Sequence, residues 1–219
     1  MPDEEKRPRL LGMAIAVACC GAFIVGVWEP LADGLDRHFP SRDVVGKHSS
    51  PGNWKIELEG ASDDDPAVRE ALLGVPTAFA DSIARFGGRI VFTHSDRLAG
   101  IRNLDQHDLA RAAGVYHPAS RTAYISTDGE AAGHTGLHEV GHMLDHALGD
   151  LSTRAPFLAL YEHVTAYGLL SPYARKNPRE CFADIFERYY FSDRRRARLA
   201  AQLPEAIDYI EALELSTRE

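Results

Sequence analysis

Two histidines and a glutamate at close spacing are the residues with the clearest chemical potential in this sequence. They stand in Leu137-His138-Glu139-Val140-Gly141-His142-Met143-Leu144, where apolar residues recur at helical spacing. Histidines four residues apart share one helix face, so both imidazoles can reach one Zn²⁺. Glu139 can take a proton from a zinc-bound water and pass it to a leaving amine. The pattern predicts a zinc hydrolase with His138 and His142 as ligands and Glu139 as general base; a chance match of two buried histidines is the alternative.

Catalytic zinc needs a third protein ligand, and its identity separates the classes of zinc enzyme. The class with a third histidine has Gly and His at the positions of Asp145 and Leu148, so this chain lies outside it. A ligand from further along the chain is therefore required. The downstream candidates are Glu162, His163, Glu180 and Glu187.

Glu180 is the best of these candidates, because it and Asp184 lie one turn apart on a helix that begins near Asn177-Pro178. One carboxylate can bind zinc, and the other can hold the free ring N–H of a ligand histidine. The same residues also form an ordinary helix start, in which Glu180 would only cap the helix. The spacing leaves both interpretations open.

The two separated motifs together resemble a zincin branch that contains the catalytic domain of anthrax lethal factor and the bacterial Pro-Pro endopeptidases. In that family a short edge strand leads into H-E-x-G-H-x-x-D, similar to residues 122–126 and 138–145 here. A Tyr seven residues before a Glu ligand, followed by Phe-Ala-acid, is similar to Tyr173, Glu180 and Phe182-Ala183-Asp184. The resemblance covers roughly residues 114–212. The chain departs from it at Asp184, where a Glu is common, and at Cys181, where a bulky apolar residue is usual.

The resemblance implies an α+β, zincin-like fold: a mostly helical domain with a small sheet whose edge strand borders the active-site helix. It implies Zn²⁺ held by His138, His142 and Glu180, with Tyr173 donating a hydrogen bond to the oxyanion. An outer-shell role for Asp184 follows the same comparison. Proteins of this shape hold an extended polypeptide as an added strand. The expected edge strand is Thr122-Ala123-Tyr124-Ile125-Ser126.

Patterning along the rest of the chain predicts the elements around this site. A strand is expected over Trp54 to Leu58, a helix from the acidic turn at 63–66 to Phe86, and a strand over Arg89 to Thr93. Helices follow at roughly 135–148, 156–168 and 178–191, with a last pair around Pro204. His134, just before the first of these helices, is expected to be an exposed loop histidine; the alternative is that it lines the cleft.

The N-terminus carries a targeting signal. Basic residues at 1–9 precede an uncharged apolar segment at 10–28, which is long for a signal peptide and fits a retained membrane anchor. A linker at 29–53 then leads to a peptidase domain at 54–219. This arrangement places the catalytic domain outside the cytoplasm, either tethered or secreted after cleavage of a signal peptide.

Composition narrows the classes of partner and function. A net charge of −8 argues against nucleic acid, and three cysteines cannot form a disulfide framework or a cysteine zinc site. Nothing indicates an oligomeric state. The predicted function is a zinc-dependent endopeptidase that cleaves an extended polypeptide; the alternatives are a non-catalytic, zinc-stabilised peptide-binding module and a zinc enzyme acting on a non-peptide amide.

Overall fold

A small sheet and six helices make up the part of the chain that the computed structural model describes, namely residues 56–59, 72–94, 98, 113–127 and 132–218. The strands are β1 (Ile56–Glu59), β2 (Arg89–Thr93), β3 (Gly114–His117) and β4 (Thr122–Ser126). The helices are α1 (Thr77–Phe86), α2 (Ala132–Ala147), α3 (Ala155–Ala166), α4 (Pro178–Phe191), α5 (Asp193–Gln202) and α6 (Pro204–Ser216). The predicted α+β, mostly helical class is confirmed.

The sheet order is β1-β2-β4-β3, so β3 and not β4 lies at the edge on the side of the site. The strands β1, β2 and β4 run parallel, and β3 pairs antiparallel with β4. The predicted strand Thr122–Ser126 has the correct bounds, but its prediction as an edge strand is wrong. A 3₁₀ turn at Pro118–Ser120 and a left-handed Arg121 at φ 55° reverse the chain between β3 and β4. The short strand β3 therefore pairs with the outer side of β4.

The helix α2 lies at the centre of the domain and packs against both the sheet and α4. Its inner face consists of fully buried apolar residues, among them Leu137, Val140, Met143 and Leu144. These join Phe79, Ile90, Ile125 and Phe186 in one hydrophobic cluster, and a second cluster fills the space between α3, α4, α5 and α6. One face of α2 is thereby fixed in the core, while the opposite face carries the histidines.

Gly141 lies where α2 and α4 pack closely against each other. A Cβ at this position would lie 3.0 Å from the Cα of Ala183 and 3.3 Å from the Cβ of Phe186. The backbone of α4 cannot give way as a flexible side chain would. A side chain at this position would therefore push the two helices apart by a few tenths of an ångström.

The variant Gly141→Ala is expected to destabilise the protein by about 1–3 kcal/mol, because overpacking forces the two helices apart. Thermal unfolding should show a midpoint several degrees lower, and zinc affinity should fall because α2 and α4 carry the proposed ligands. In an unconstrained helix the same substitution stabilises by about 0.5–1 kcal/mol. A rise in the midpoint would therefore contradict the close approach.

The helix and strand predictions from 89 onward match the structure to within a few residues. The prediction of one continuous helix from 63 to Phe86 is wrong: among the described residues, a turn at Gly74 and extended backbone at Pro76 interrupt it, and α1 begins only at Thr77. Pro76 lacks the backbone N–H that a continuous helix needs. The predicted end at Phe86 is confirmed, with Gly87 as the C-cap at φ 81°.

The predicted anchor at 10–28 and linker at 29–53 lie outside the described residues. Within those residues, no helix has the length and apolarity needed to span a bilayer.

Candidate metal centre

His138 and His142 project from the outer face of α2. Their ring centroids lie 4.9 Å apart and the ring planes are nearly perpendicular, at 85°. Both side chains are partly buried, with 16% and 15% of their surface exposed. This is the one-turn spacing expected for two imidazoles that point toward a common centre.

The third member of the cluster is Glu180, in the first turn of α4. Its Oε2 lies 3.1 Å from Nε2 of His138 and 3.2 Å from Nε2 of His142. The helix is capped instead by Asn177, whose Oδ1 accepts the backbone N–H of Glu180 at 3.0 Å. The alternative in which Glu180 merely caps its helix is therefore wrong: the cap and the carboxylate are separate features of one turn.

The electrostatics of the cluster favour an ionised carboxylate. Burial alone would raise the pKa of Glu180, but the hydrogen bonds from His138 and His142 outweigh it and hold that pKa well below its usual range. Burial likewise opposes charge on His138, yet the contact with Glu180 and nearby carboxylates raise its pKa.

The donor set fits a metal ion. One ligand atom from each of His138, His142 and Glu180 lies within 4.8 Å of the others. Two imidazole nitrogens and one carboxylate oxygen form a donor set found in catalytic zinc sites, which keep a fourth position for water or substrate. Among the described residues this is the only group of three or more such side chains close enough to hold an ion.

Glu139 lies beside the cluster and is only 7% exposed. Burial raises the pKa of its carboxyl group, while the two histidines and a hydrogen bond from the backbone N–H of Tyr116 lower it. The hydrogen bond ties Glu139 to the edge strand β3. The carboxyl group of Glu139 is therefore buried and held in place next to the metal cluster.

Tyr173 lies near His138, in the turn that precedes α4. Its ring is 47% exposed, lies 5.8 Å from the ring of His138, and is covered on one face by the ammonium group of Lys176 at 4.3 Å. Its turn is held by Ser171, whose Oγ accepts the backbone N–H of Ala174 at 3.0 Å. The phenol thus lies at the rim of the metal cluster and is accessible from the solvent.

Asp184 does not make the predicted contact with a ligand histidine. Its carboxylate binds the guanidinium of Arg188 at 2.5 Å and accepts a hydrogen bond from Ser171 Oγ at 3.4 Å. One turn along α4 from Glu180, the carboxylate faces the turn that carries Tyr173 rather than the free nitrogens of the rings. Its position therefore supports that turn, and it acts on His138 only through its charge.

The other candidates for a third ligand lie elsewhere. Glu162 is exposed on α3, and His163 pairs with Glu205 at 3.8 Å. Glu187 is buried on α4 and binds Arg195. Of the four downstream candidates, only Glu180 reaches the histidines.

The cluster lies in an open cleft with a volume of about 880 Å³. The edge strand β3 forms one wall, and the turn with Tyr173 and the start of α4 form the other. His134 also lines the cleft: it lies on α2, one turn before His138, and is half-buried. The expectation of an exposed loop histidine is wrong, because α2 begins three residues earlier than its periodicity indicated, and the alternative that His134 lines the cleft is confirmed.

Sequence reasoning missed the strand β3, which borders the cleft from Gly114 to His117. Four residues with one β-branched and one aromatic side chain give a weak strand signal. The turn formers at Pro118–Ser120, directly before a well-predicted strand, are the signal that would have indicated a hairpin.

Comparisons with known proteins agree with this arrangement. The family model described as "Anthrax toxin lethal factor, N- and C-terminal domain" matches residues 103–213, just over half of the chain. The solved structure of the Pro-Pro endopeptidase from Paenibacillus alvei superposes with a TM-score of 0.59 at 19% identity, covering 72% of this chain and 96% of that one. At this identity the likeness is one of fold. The curated proteins contain no significant match in sequence.

A helix with two histidines and a glutamate, joined by a carboxylate from a second helix at an open cleft, defines a metallopeptidase of the zincin class. The chain belongs to the anthrax toxin lethal factor family and is a lethal factor-like zincin metallopeptidase. The expectation from its motifs is confirmed.

Proposed function

We propose that this protein is a zinc endopeptidase that cleaves an extended polypeptide laid along the strand β3. The observation that carries the proposal is the convergence of His138, His142 and Glu180 beside the buried Glu139 on the floor of one cleft. When bound, zinc would lower the pKa of a water molecule and polarise the substrate carbonyl.

Glu139 supplies the acid–base chemistry. Its carboxylate takes a proton from the attacking water and delivers it to the leaving nitrogen as the peptide bond breaks. The raised pKa suits it to both steps, and the hydrogen bond from Tyr116 keeps it next to the strand that holds the substrate.

The strand β3 replaces β4 as the proposed docking edge. Among the described strands it pairs only with β4, and its residues line the cleft. A peptide that adds to this edge gains affinity from backbone hydrogen bonds, which leaves sequence preference to side-chain pockets.

Tyr173 is the proposed donor to the oxyanion. The variant Tyr173→Phe removes this hydrogen bond and keeps the ring, so we expect kcat to fall by about 10²–10³ with KM and zinc content nearly unchanged. Steady-state kinetics with a peptide substrate measure kcat and KM. Tyr167→Phe, a change at an exposed tyrosine outside the cleft, is the matched control. Equal kcat for Tyr173→Phe and wild type would remove Tyr173 from the mechanism.

The N-terminal segment supports a further part of the proposal. The basic residues at 1–9 and the apolar run at 10–28 suit an anchor that holds the domain at 54–219 outside the cytoplasm. Membrane fractionation of the full chain, with protease protection of the domain, tests this placement.

The deciding experiment measures zinc content and peptide-library cleavage by the full-length protein. One equivalent of zinc, together with cleavage that a chelator abolishes, is the expected result. A protein that binds zinc and peptides but cleaves none would instead be a binding module. A protein that binds no zinc would contradict the proposed function.

A further inference from the structure

We propose that His134 forms a specificity subsite for the substrate residue that follows the scissile bond, and that its Nε2 accepts a hydrogen bond from that residue's side chain. The proposal rests on the proposed peptidase function and adds to it the chemistry of one substrate position. Two observations support the proposal: the side chains that hold the ring of His134 in place, and the common direction of β3 and α2.

The ring of His134 is held at one end of the cleft. Its Nδ1 lies 3.3 Å from Oε1 of Glu187, a carboxylate that is only 4% exposed. One side of the ring packs on Phe191, with 4.7 Å between the ring centroids. Arg195 binds the same carboxylate and covers the ring of Phe191 at 5.0 Å. Three side chains thereby restrict the orientation of the imidazole.

This environment selects one tautomer of His134. A carboxylate beside Nδ1 keeps the proton on that nitrogen, which leaves the lone pair on Nε2. Burial, with a further contribution from the charge of Arg195, lowers the pKa of His134 to about 4, so the ring is neutral near pH 7. His134 is also one of the residues that line the cleft. The second nitrogen is thus an acceptor at the wall of the cleft.

The position of His134 along the bound peptide follows from two contacts of the edge strand. A Cβ on Gly114 would lie 2.5 Å from the side chain of Thr135, near the start of α2. The hydroxyl of Tyr116 lies 2.8 Å from Nδ1 of His146, near the end of α2. The strand β3 and the helix α2 therefore run in the same direction.

A peptide on this edge is expected to pair antiparallel, which is the more stable arrangement per residue. Such a peptide runs against α2, from the His146 end toward the His134 end. Residues after the scissile bond then lie past His138, where His134 is the next side chain on that face of the helix.

The chemistry of the subsite favours a side chain with a hydrogen-bond donor, such as Ser, Thr, Asn or Gln. An aliphatic side chain of equal size would leave Nε2 without a partner after water is displaced. An acidic side chain would bring a second negative charge close to the buried Glu187.

The test uses the full-length, zinc-loaded protein. A peptide library first establishes a cleaved sequence, and two peptides are then made that differ only in Thr or Val directly after the scissile bond. Wild type is expected to prefer Thr over Val in kcat/KM by up to about tenfold, the size of one net hydrogen bond. In His134→Leu the ratio should fall to about one.

Two further variants make the result specific. His163→Leu removes another partly buried histidine that pairs with a glutamate outside the cleft, and it should keep the wild-type ratio. His134→Gln retains a hydrogen-bond acceptor at a similar reach and should keep part of the preference for Thr. It therefore tests the hydrogen bond even if His134→Leu disturbs the packing around the ring.

Two outcomes would overturn the proposal separately from the function. Cleavage by wild type with no preference for Thr, or an unchanged Thr/Val ratio in both His134 variants, removes the subsite and leaves the peptidase intact. If the zinc-loaded wild type cleaves nothing in the library, the proposed function itself fails and the subsite with it.

Discussion

Replacing Glu139 with glutamine is expected to lower kcat by about 10²–10⁴ while the protein still binds zinc. The amide has the shape of the carboxylate but cannot take a proton from the attacking water. Its carbonyl oxygen can still accept the backbone N–H of Tyr116, so the edge strand should keep its position. The loss should appear in kcat, with peptide binding by the inactive variant close to the KM of wild type.

Stability measurements show whether the loss of activity in Glu139→Gln comes from the missing carboxylate or from unfolding. Burial raises the pKa of Glu139, which means that the folded protein disfavours its charged form. A neutral glutamine should therefore leave the thermal midpoint equal to or above that of wild type. Glu162→Gln, the same change at an exposed site on α3, should leave activity unaltered. Substantial turnover by Glu139→Gln would exclude Glu139 as the general base.

Replacing Glu180 with alanine is expected to abolish both zinc binding and activity. The carboxylate is the sole proposed ligand outside α2, and its Oε2 is the atom that approaches both histidine nitrogens. Loss of an outer-shell partner already costs about 10–100-fold in metal affinity, and loss of a direct ligand should exceed that. Zinc content after dialysis and competition with a chromogenic chelator measure the change.

A matched variant controls for the loss of a glutamate that pairs with a histidine. Glu205 lies 3.8 Å from His163 outside the cleft, so Glu205→Ala should bind one zinc and cleave peptides as wild type does. Since Asn177 caps α4, Glu180→Ala should retain that helix and its thermal transition in the metal-free state. A Glu180→Ala protein with full zinc content would show that the third ligand is another residue.

Local sequence patterns determined much of the fold around this site. The strands Arg89–Thr93 and Thr122–Ser126 and the helix from 178 to 191 were predicted with the bounds that the structure has. Alternation, helical spacing and Asn177-Pro178 as a helix start are properties of adjacent residues. The arrangement of His138 and His142, with Glu139 beside them, is also a local property, because one helical turn fixes its geometry.

The tertiary structure decided which residues of other elements contact the metal-site residues of α2. Glu180 and Asp184 share one face of α4, and only the packing of that helix on α2 places one at the histidines and the other at Ser171 and Arg188. The strand at the edge of the sheet is likewise β3 rather than the predicted β4, because strand order depends on pairing between distant segments.

The sequence by itself therefore determined the chemical groups on each helix and strand, because backbone periodicity is local. Local spacing did not determine which groups meet across elements, since that depends on how closely two helices pack; for Glu180 only the family resemblance supplied that expectation. At Gly141 the absence of a side chain sets this distance, and it brings a carboxylate 38 residues away from His142 to within 3.2 Å of its ring.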